Sequence, residues 1–356
     1  MVQSTYNVLI LGASYGSLLA AKLLLAGHNV KLVCRPETAA MINNEGIRVR
    51  IPVASGEKVE IDSRNLPGSL SADAPTAIDP AAYDLVALAM QEPQYGASGI
   101  RELLEAVARA KVPCMSIMNM PPLPYLARLP GLETKALASA YTEASVWQSF
   151  DPELMTLCSP DPQAFRPPEE TANVLQVTLP TNFKVARFAD EAHTAMLRQL
   201  QADIAAVRFE TNSGPVELPV KLKVHDSLFV PLAKWAMLLT GNYRCVTKAG
   251  PRSIQEAVHS NPEESRAVYD WVREVCLALG AAPADLVPFE KYAAAAEGLV
   301  RPSSAARALF AGAQNIERVD RLVQAVAAQK GMRHPTVDET VALVDAQLAV
   351  NRKKAA

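Results

Sequence analysis

The start of the chain constrains the fold most, because it combines a short apolar strand, a glycine turn, a helix and a second strand. Residues 8–11 form an apolar run typical of a strand that is buried on both faces. Good helix formers follow at 18–25 and end at Gly27, and a second apolar run, 30–34, ends at Arg35. This strand–helix–strand unit predicts the first half of a dinucleotide-binding fold.

The turn in this unit carries glycines at positions 12 and 16, which departs from the G-x-G-x-x-G spacing. Two interpretations remain open: the turn is one residue short, or Ala13 replaces the middle glycine and Leu11 the first. A tight turn that binds nothing is the alternative, and the surrounding strands and helix favour a pyrophosphate site. The residues predicted to bind the cofactor here are Gly12, Ala13, Ser14, Tyr15, Gly16 and Ser17.

Arg35 indicates which dinucleotide the turn would take. It stands 19 positions after Gly16, where NAD-binding folds place an acidic residue for the ribose hydroxyl. A cation at this position suits the 2′-phosphate of NADP, whereas an ordinary surface arginine paired with Glu37 is the alternative. We therefore expect NADP(H) as the cofactor.

Composition bounds the class of protein. The chain has 356 residues, longer than one ordinary domain, with 35 basic and 37 acidic side chains and a formal net charge of −2. This balance gives no support to a nucleic-acid surface. The five cysteines and five histidines are scattered without metal-ligand spacing, so no metal site is expected. No signal peptide or membrane-spanning run is recognised, which favours a cytoplasmic protein.

The order of elements predicts an α/β fold with an N-terminal Rossmann-type doubly wound sheet and an all-α C-terminal domain. We expect domains at 1–208, which bind the dinucleotide, and 209–356, which bind substrate and support a possible homodimer. Strands are expected at 47–53, 85–89, 114–118, 136–140, 174–179 and 184–188, and the proline-rich stretch 147–188 is expected to form irregular loops and antiparallel edge strands that close the first domain. Helices are expected at 99–110, 189–204, 224–241, 251–280, 286–298, 303–330 and 336–350.

Four stretches, taken in order, resemble the ketopantoate reductase (2-dehydropantoate 2-reductase) family. They are the turn unit from Gly12 to Arg35, the strand end 84–91 with Gln94, Asn119 after its strand, and a helical set made of 233–242, 301–304 and 334–337. The resemblance covers nearly the whole chain, although each motif is short.

The resemblance implies reduction of a 2-oxo acid by NADPH, with Lys234 as the catalytic proton donor to the keto oxygen. A positioned cation would also stabilise the alkoxide charge that develops during hydride transfer. Asn119 would lie near the nicotinamide ribose and the substrate. Asn242 and either Ser303 or Ser304 would bind the substrate, and Met90 and Gln91 would line the cofactor site.

Departures from the family pattern favour a relative with a different substrate. Leu238 stands where the family has a second asparagine, and Gln91 stands where it has a lysine. The position of the catalytic glutamate is open: one alignment places Asn315 there, as a substrate-binding residue, and a one-residue slip instead places Glu317 there. An imine-reducing, opine-type dehydrogenase and a catalytically inactive NADP-binding sensor are the alternative functions.

Overall fold

The computed structural model describes residues 4–53, 56–211 and 214–355. These residues form two compact units. The first comprises the described residues up to Met90 together with Gln94–Met118 and Val146–Asp226. The second comprises Gln91–Pro93, Asn119–Ser145 and the described residues from Ser227 onward. The division differs from the predicted boundary at 208/209, because residues up to 226 stay with the first unit and 119–145 pack in the second.

Strands occur mostly in the first unit. They are β1 (Asn7–Leu11), β2 (Asn29–Val33), β3 (Arg48–Pro52), β4 (Lys58–Asp62), β5 (Leu70–Asp73), β6 (Leu85–Leu88), β7 (Cys114–Ile117), β8 (Met155–Ser159), β9 (Gln163–Phe165), β10 (Val174–Leu179), β11 (Phe183–Ala186), β12 (Phe209–Thr211), β13 (Gly214–Val216), β14 (Leu222–His225), β15 (Val246–Thr247) and β16 (Gly250–Pro251).

The α-helices alternate with strands early in the chain and dominate its later part. They are α1 (Gly16–Leu25), α2 (Pro36–Glu45), α3 (Ile100–Ala110), α4 (Leu123–Leu126), α5 (Glu191–Ala206), α6 (Lys234–Met237), α7 (Ile254–His259), α8 (Pro262–Ala278), α9 (Phe289–Ala296), α10 (Ser304–Phe310), α11 (Val319–Gln329) and α12 (Pro335–Ala355). Among the described residues, no helix is both long and apolar enough to cross a bilayer.

The main sheet of the first unit has the strand order β14-β11-β8-β7-β6-β1-β2-β5. Its pairs are parallel except for β8 with β11. The central strands β1 and β6 are buried on both faces, which explains their uninterrupted apolar sequences. The chain leaves β1 toward β2 on one side and later returns to β6 on the other, so the carboxyl end of β1 lies at a switch point of the sheet. The predicted Rossmann-type fold is confirmed.

A smaller sheet of the first unit has the order β4-β3-β10-β9. Strand β10 pairs in parallel with β3 and antiparallel with β9, which leaves β9 at the edge. The proline-rich stretch 147–188, which contains β9 and β10, was expected to hold loops and antiparallel edge strands. That expectation is confirmed for β9, and it matters because β9 leads directly to a residue beside the glycine turn.

The second unit is mainly helical, and one irregular helix positions its polar residues. Helix α6 begins at Lys234 and continues without a break into a π-helical turn, Leu238–Asn242. Such wide turns are rare in helices and are often found at functional sites. The turn shifts the register by one residue, so spacing in the sequence alone does not tell which side chains share a face.

Several elements predicted from the sequence differ from those in the structure. Residues 136–140, expected as a strand, belong to a 3₁₀-helix, Thr134–Ala140, since a short apolar run does not distinguish strand from helix. The helix expected at 224–241 instead begins with the end of β14, and a 3₁₀-turn at Val230–Ala233 precedes α6. The predicted helix at 303–330 is interrupted between α10 and α11, and this interruption carries Glu317.

Candidate nucleotide turn and buried carboxyl pocket

Gly12 forms the corner between β1 and the turn of the first unit. Its φ of +106° is a conformation that side chains rarely allow. Its N–H donates to the Val33 carbonyl at 3.0 Å, which ties the turn to β2. A Cβ here would lie 2.7 Å from the Ala89 carbonyl oxygen and 2.8 Å from Met90 Cγ. Only glycine fits this corner, which matches the first glycine of a dinucleotide-binding turn.

Gly16 begins helix α1 and brings it close to the sheet. A Cβ on Gly16 would lie 2.7 Å from Ile10 Cγ2, so this glycine serves helix–strand packing. Three residues separate it from Gly12, and this geometry favours the shorter-turn interpretation. The Ser17 hydroxyl is buried and donates to the Ala13 carbonyl at 2.5 Å, so it braces the turn, whereas Ser14 is exposed.

Residues 162–166, which we call the strap, contact this turn through two hydrogen bonds. The Tyr15 hydroxyl donates to the Pro162 carbonyl at 2.7 Å. Arg166 Nη2 donates to the Ala13 carbonyl at 3.0 Å. Sequence analysis did not single out Arg166, since it lies 153 positions from its partner in a region predicted only as loops and edge strands.

The end of β2 adds a thiol beside this guanidinium. Burial raises the pKa of Cys34 to about 11, and the nearby charge of Arg166 opposes that rise. Burial also lowers the pKa of Arg166. Arg35, the predicted 2′-phosphate ligand, is exposed at the N-cap of α2. Met90 is half-buried, and its N–H donates to the Tyr95 hydroxyl at 3.0 Å.

The second unit contains a small pocket of about 40 Å³ that gathers most of the predicted catalytic and substrate-binding residues. Its walls include Gln91, Asn119, Leu238, Asn242, Ser304 and Glu317. Leu238 and Asn242 stand at the two ends of the π-helical turn, and Ser304 is the first residue of α10. These side chains come from five separate stretches of sequence.

Glu317 is the central group of this pocket. It is half-buried, and one carboxylate oxygen accepts from the Glu92 N–H at 3.2 Å while the other accepts from Asn119 Nδ2 at 3.4 Å. Burial raises the pKa of Glu317 to about 7, although these hydrogen bonds and the charge of Lys234 act in the opposite direction. The influence of Lys234 on this carboxyl places the predicted catalytic lysine near the pocket.

Two further groups shape the pocket around Glu317. Glu92 is 2% exposed, and burial raises the pKa of its carboxyl as well. The Tyr243 hydroxyl donates to the Glu317 carbonyl and accepts from the Val319 N–H, which fixes the backbone that carries the acid. The side-chain oxygen of Asn119 is buried and has no hydrogen-bond partner in the described part of the chain. A buried acceptor of this kind suits a ligand donor.

Two predicted substrate-binding residues have other roles in the structure. Ser303 is buried at the N-cap of α10, where its hydroxyl accepts from the Ala306 N–H and donates to the Asn242 carbonyl at 2.7 Å. Asn315 accepts from Arg352 Nη2 at 2.9 Å and lines a different cavity. Of the two candidates for the acid position, the structure therefore brings Glu317, and not Asn315, to Asn119.

That different cavity measures about 430 Å³, within the range of ligand sites, and is lined by arginines 318, 321 and 352. Most of the charged side chains around this cavity form ion pairs with other side chains of the protein. Arg318 contacts Asp320 at 2.9 Å and Asp345 at 2.5 Å, and Arg321 also contacts Asp345. The Glu317 carboxyl, whose pKa is about 7, lies in the smaller pocket instead. No cluster suited to a metal ion occurs among the described residues.

Comparisons with known proteins agree with the family resemblance that the sequence motifs indicated. Residues 8–113 match the family model described as ketopantoate reductase PanE/ApbA. A comparison with curated proteins finds no significant match. The resemblance expected from the sequence is thus confirmed, at low sequence identity.

Solved structures share the fold over almost the whole chain. A probable 2-dehydropantoate 2-reductase from Bacillus subtilis is 16% identical with a TM-score of 0.61, covering 96% of this chain and 99% of its own. A D-mandelate dehydrogenase in complex with NADH is 12% identical with a TM-score of 0.61, covering 97% and 99%. A dimeric ketopantoate reductase from Staphylococcus aureus is 11% identical with a TM-score of 0.60, covering 97% and 99%.

Proposed function

We propose that the protein is an NADPH-dependent reductase of a small 2-oxo acid. The observation that carries the proposal is the half-buried Glu317 carboxyl, which accepts a hydrogen bond from Asn119 and is influenced by the charge of Lys234, in a pocket with Asn242 and Ser304. A carboxyl with a pKa of about 7 in such a setting is suited to proton transfer at neutral pH. The family match and the glycine turn supply the link to a nicotinamide cofactor.

The residues of the chain would divide the chemistry between binding and proton transfer. The bound nicotinamide would supply hydride to the keto carbon. Lys234 would donate a proton to the keto oxygen and stabilise the negative charge that forms there. Glu317, which gains and loses a proton near neutral pH, would restore the proton on Lys234. Asn119 would orient the reacting groups, and its unpartnered side-chain oxygen would accept a ligand hydrogen bond.

The walls of the pocket favour a small and partly apolar substrate. Asn242 and Ser304 would bind the carboxylate, and Leu238 gives one wall an apolar surface. A volume of about 40 Å³ holds little more than a water molecule. Binding therefore requires movement of side chains at the mouth of the pocket, where Gln91 and Ser304 are exposed.

An inactive sensor is disfavoured by the same observation. A sensor that had lost catalysis would have no reason to retain a proton-exchanging carboxyl beside a lysine, since removing an acid from water is costly to the folded state. The opine-type alternative has no structural observation in its favour and is distinguished by whether turnover needs an added amine.

The test is oxidation of NADPH by the purified protein with a panel of straight, branched and aromatic 2-oxo acids, each with and without an amine, followed by absorbance. NADH is tested in parallel. We expect turnover with at least one 2-oxo acid in the absence of amine. Strict dependence on an amine would replace the proposal with an imine reductase, and nucleotide binding without any turnover would restore the sensor.

We also propose a homodimer, supported by the dimeric structural neighbour. Light scattering of the purified chain tests this directly. A single species of monomer mass at micromolar concentration would contradict it.

A further inference from the structure

We propose that Arg166, on the strap, binds the 2′-phosphate of the adenosine ribose and is the main determinant of a preference for NADPH over NADH. This inference rests on the proposed function, because it requires that a nicotinamide dinucleotide occupies the glycine turn. The sequence points to Arg35, which belongs to the turn unit. This inference instead assigns the phosphate contact to Arg166, which lies outside that unit.

The position of the guanidinium is the first reason. Arg166 Nη2 donates to the Ala13 carbonyl in the glycine turn, and its charge acts on the Cys34 thiol at the end of β2. In dinucleotide-binding folds the pyrophosphate lies at the turn, and the adenosine ribose is recognised at the end of the second strand. Arg166 therefore stands where the turn and the ribose-recognising strand end meet.

The second reason is that the Arg166 guanidinium has no anionic partner among the described residues. Its hydrogen bond goes to a neutral carbonyl, and no carboxylate pairs with it in the described ranges of the chain. Arg50 in the same unit shows the ordinary arrangement, with Glu60 at 2.6 Å and Glu170 at 2.7 Å. A half-buried guanidinium without a counter-ion is costly, and a phosphate would remove that cost.

Acidic residues near the end of β2 do not neutralise Arg166. Asp73 and Glu37 both influence the Cys34 thiol, so they belong to the same neighbourhood. Asp73 forms an ion pair with Lys31. Glu37 is exposed in the first turn of α2. Neither makes a hydrogen bond or an ion pair with Arg166 in the part of the chain described.

The strap holds the guanidinium ready for binding. Arg166 precedes Pro167, and a residue before proline is largely confined to an extended backbone. Strand β9 pairs with β10, and the Tyr15 hydroxyl anchors Pro162 at the other end of the strap. Arg35, in contrast, is exposed, so its charge is more strongly screened by water. The two arginines are thus expected to contribute unequally.

The experiment measures dissociation constants of NADPH, NADH, 2′,5′-ADP and 5′-ADP for the wild-type chain and three variants. Arg166→Met removes the proposed contact, Arg35→Met removes the contact predicted from sequence, and Arg64→Met is the control. Arg64 is an exposed arginine of the same unit that pairs with Asp62. The fold of each variant is checked by circular dichroism, and Arg166→Lys is a milder change that retains a positive charge.

We expect Arg166→Met to weaken NADPH and 2′,5′-ADP by about 10–100-fold, because the lost contact is a charge-assisted hydrogen bond to phosphate. NADH and 5′-ADP should change by less than about 3-fold, and Arg166→Lys should recover part of the loss. The effect of Arg35→Met should be smaller, and Arg64→Met should have none.

Three outcomes would overturn the inference. Equal weakening of all four ligands would assign Arg166 to the pyrophosphate instead. Unchanged affinity in Arg166→Met, with wild-type protein binding NADPH, would reject this role alone and leave the proposed function intact. Failure of the wild-type chain to bind either dinucleotide would reject the proposed function and this inference with it.

Discussion

The two cavities of the second unit share Ile316 in their walls and differ in almost everything else. The larger, at about 430 Å³, contains several charged groups, and most of them are paired with one another. The smaller, at about 40 Å³, holds a half-buried carboxyl whose hydrogen bonds come from an amide and a backbone N–H. Paired charges stabilise a structure, whereas a carboxyl kept near its titration point can move protons. Size alone would select a different cavity from the one that we propose for catalysis.

The largest effect should come from the smaller pocket. Lys234→Met keeps the aliphatic stem but removes the charge, and we expect kcat to fall by about 10²–10⁴-fold, the range for loss of a general acid. Cofactor affinity should change little, because this charge acts when the alkoxide forms. Steady-state kinetics measures the effect, with the exposed Lys291→Met as the matched control. A variant with undiminished kcat would contradict the catalytic role.

A substitution in the larger cavity should lower the stability of the protein and leave turnover largely unchanged. Arg318→Met leaves Asp320, which is 0% exposed, without its guanidinium partner, and this should lower the free energy of unfolding by about 3–5 kcal/mol. Urea denaturation measures the loss. Turnover per folded molecule should stay within about 3-fold of wild type. A large loss of turnover at unchanged stability would move the active site to the larger cavity.

Glu317 should make stability depend on pH in a direction that is unusual for an acid. With a folded pKa of about 7 against an ordinary 4.5, the folded state holds a proton between these values that the unfolded state has lost. The free energy of unfolding therefore falls as pH rises from 4.5 to 7, by about 2–3 kcal/mol from this group. Glu317→Gln should remove that part of the pH dependence while lowering kcat.

The comparison that isolates Glu317 is the difference between wild type and Glu317→Gln in urea denaturation at pH 5 and pH 8. Glu92, whose pKa is also raised, is present in both proteins and cancels in the difference. A difference that does not change with pH would show that Glu317 titrates as an ordinary surface acid.

The smallest effect should come from Asn315, the other candidate for the acid position. Its side chain contacts Arg352 and lies outside the small pocket, so Asn315→Ala should change kcat and KM by less than about 2-fold. The same kinetic assay measures this. A larger fall in kcat for Asn315→Ala than for Glu317→Gln would favour the alignment that places Asn315 at the acid position.

The sequence predicted the first unit well where the information is local. The strand, turn and helix around Gly12 follow from apolar runs and glycine positions, and the structure confirms them. Strand β14, Leu222–His225, was not predicted, because four residues carry little periodic signal and the strand gains its place only by pairing with the distant β11. The 3₁₀-helix at Thr134–Ala140 was mistaken for a strand because a short apolar run does not distinguish a strand from a helix.

The sequence predicted which residue types line the small pocket, but not which of the two candidate positions, 315 or 317, supplies its acid. Motif resemblance pointed to Asn119, Asn242 and Ser304, which do meet, yet it could not choose between Asn315 and Glu317. That choice depends on which side chain of an irregular segment is turned toward Asn119. The contact between Arg166 and the glycine turn could not be predicted from the sequence, because only the fold brings Arg166 to Ala13.

The chain alternates between the two units, and this limits how the protein can be divided into fragments that fold. Residues 119–145 belong with the helical unit but are encoded before the last strands of the sheet unit. A fragment beginning at residue 227 would lack the Tyr125 hydroxyl that donates to Leu228 and the Glu133 N–H that donates to Gln329. No single cut yields both units intact. During translation, residues 119–145 leave the ribosome long before their partners exist, so the helical unit is completed only when synthesis nears its end.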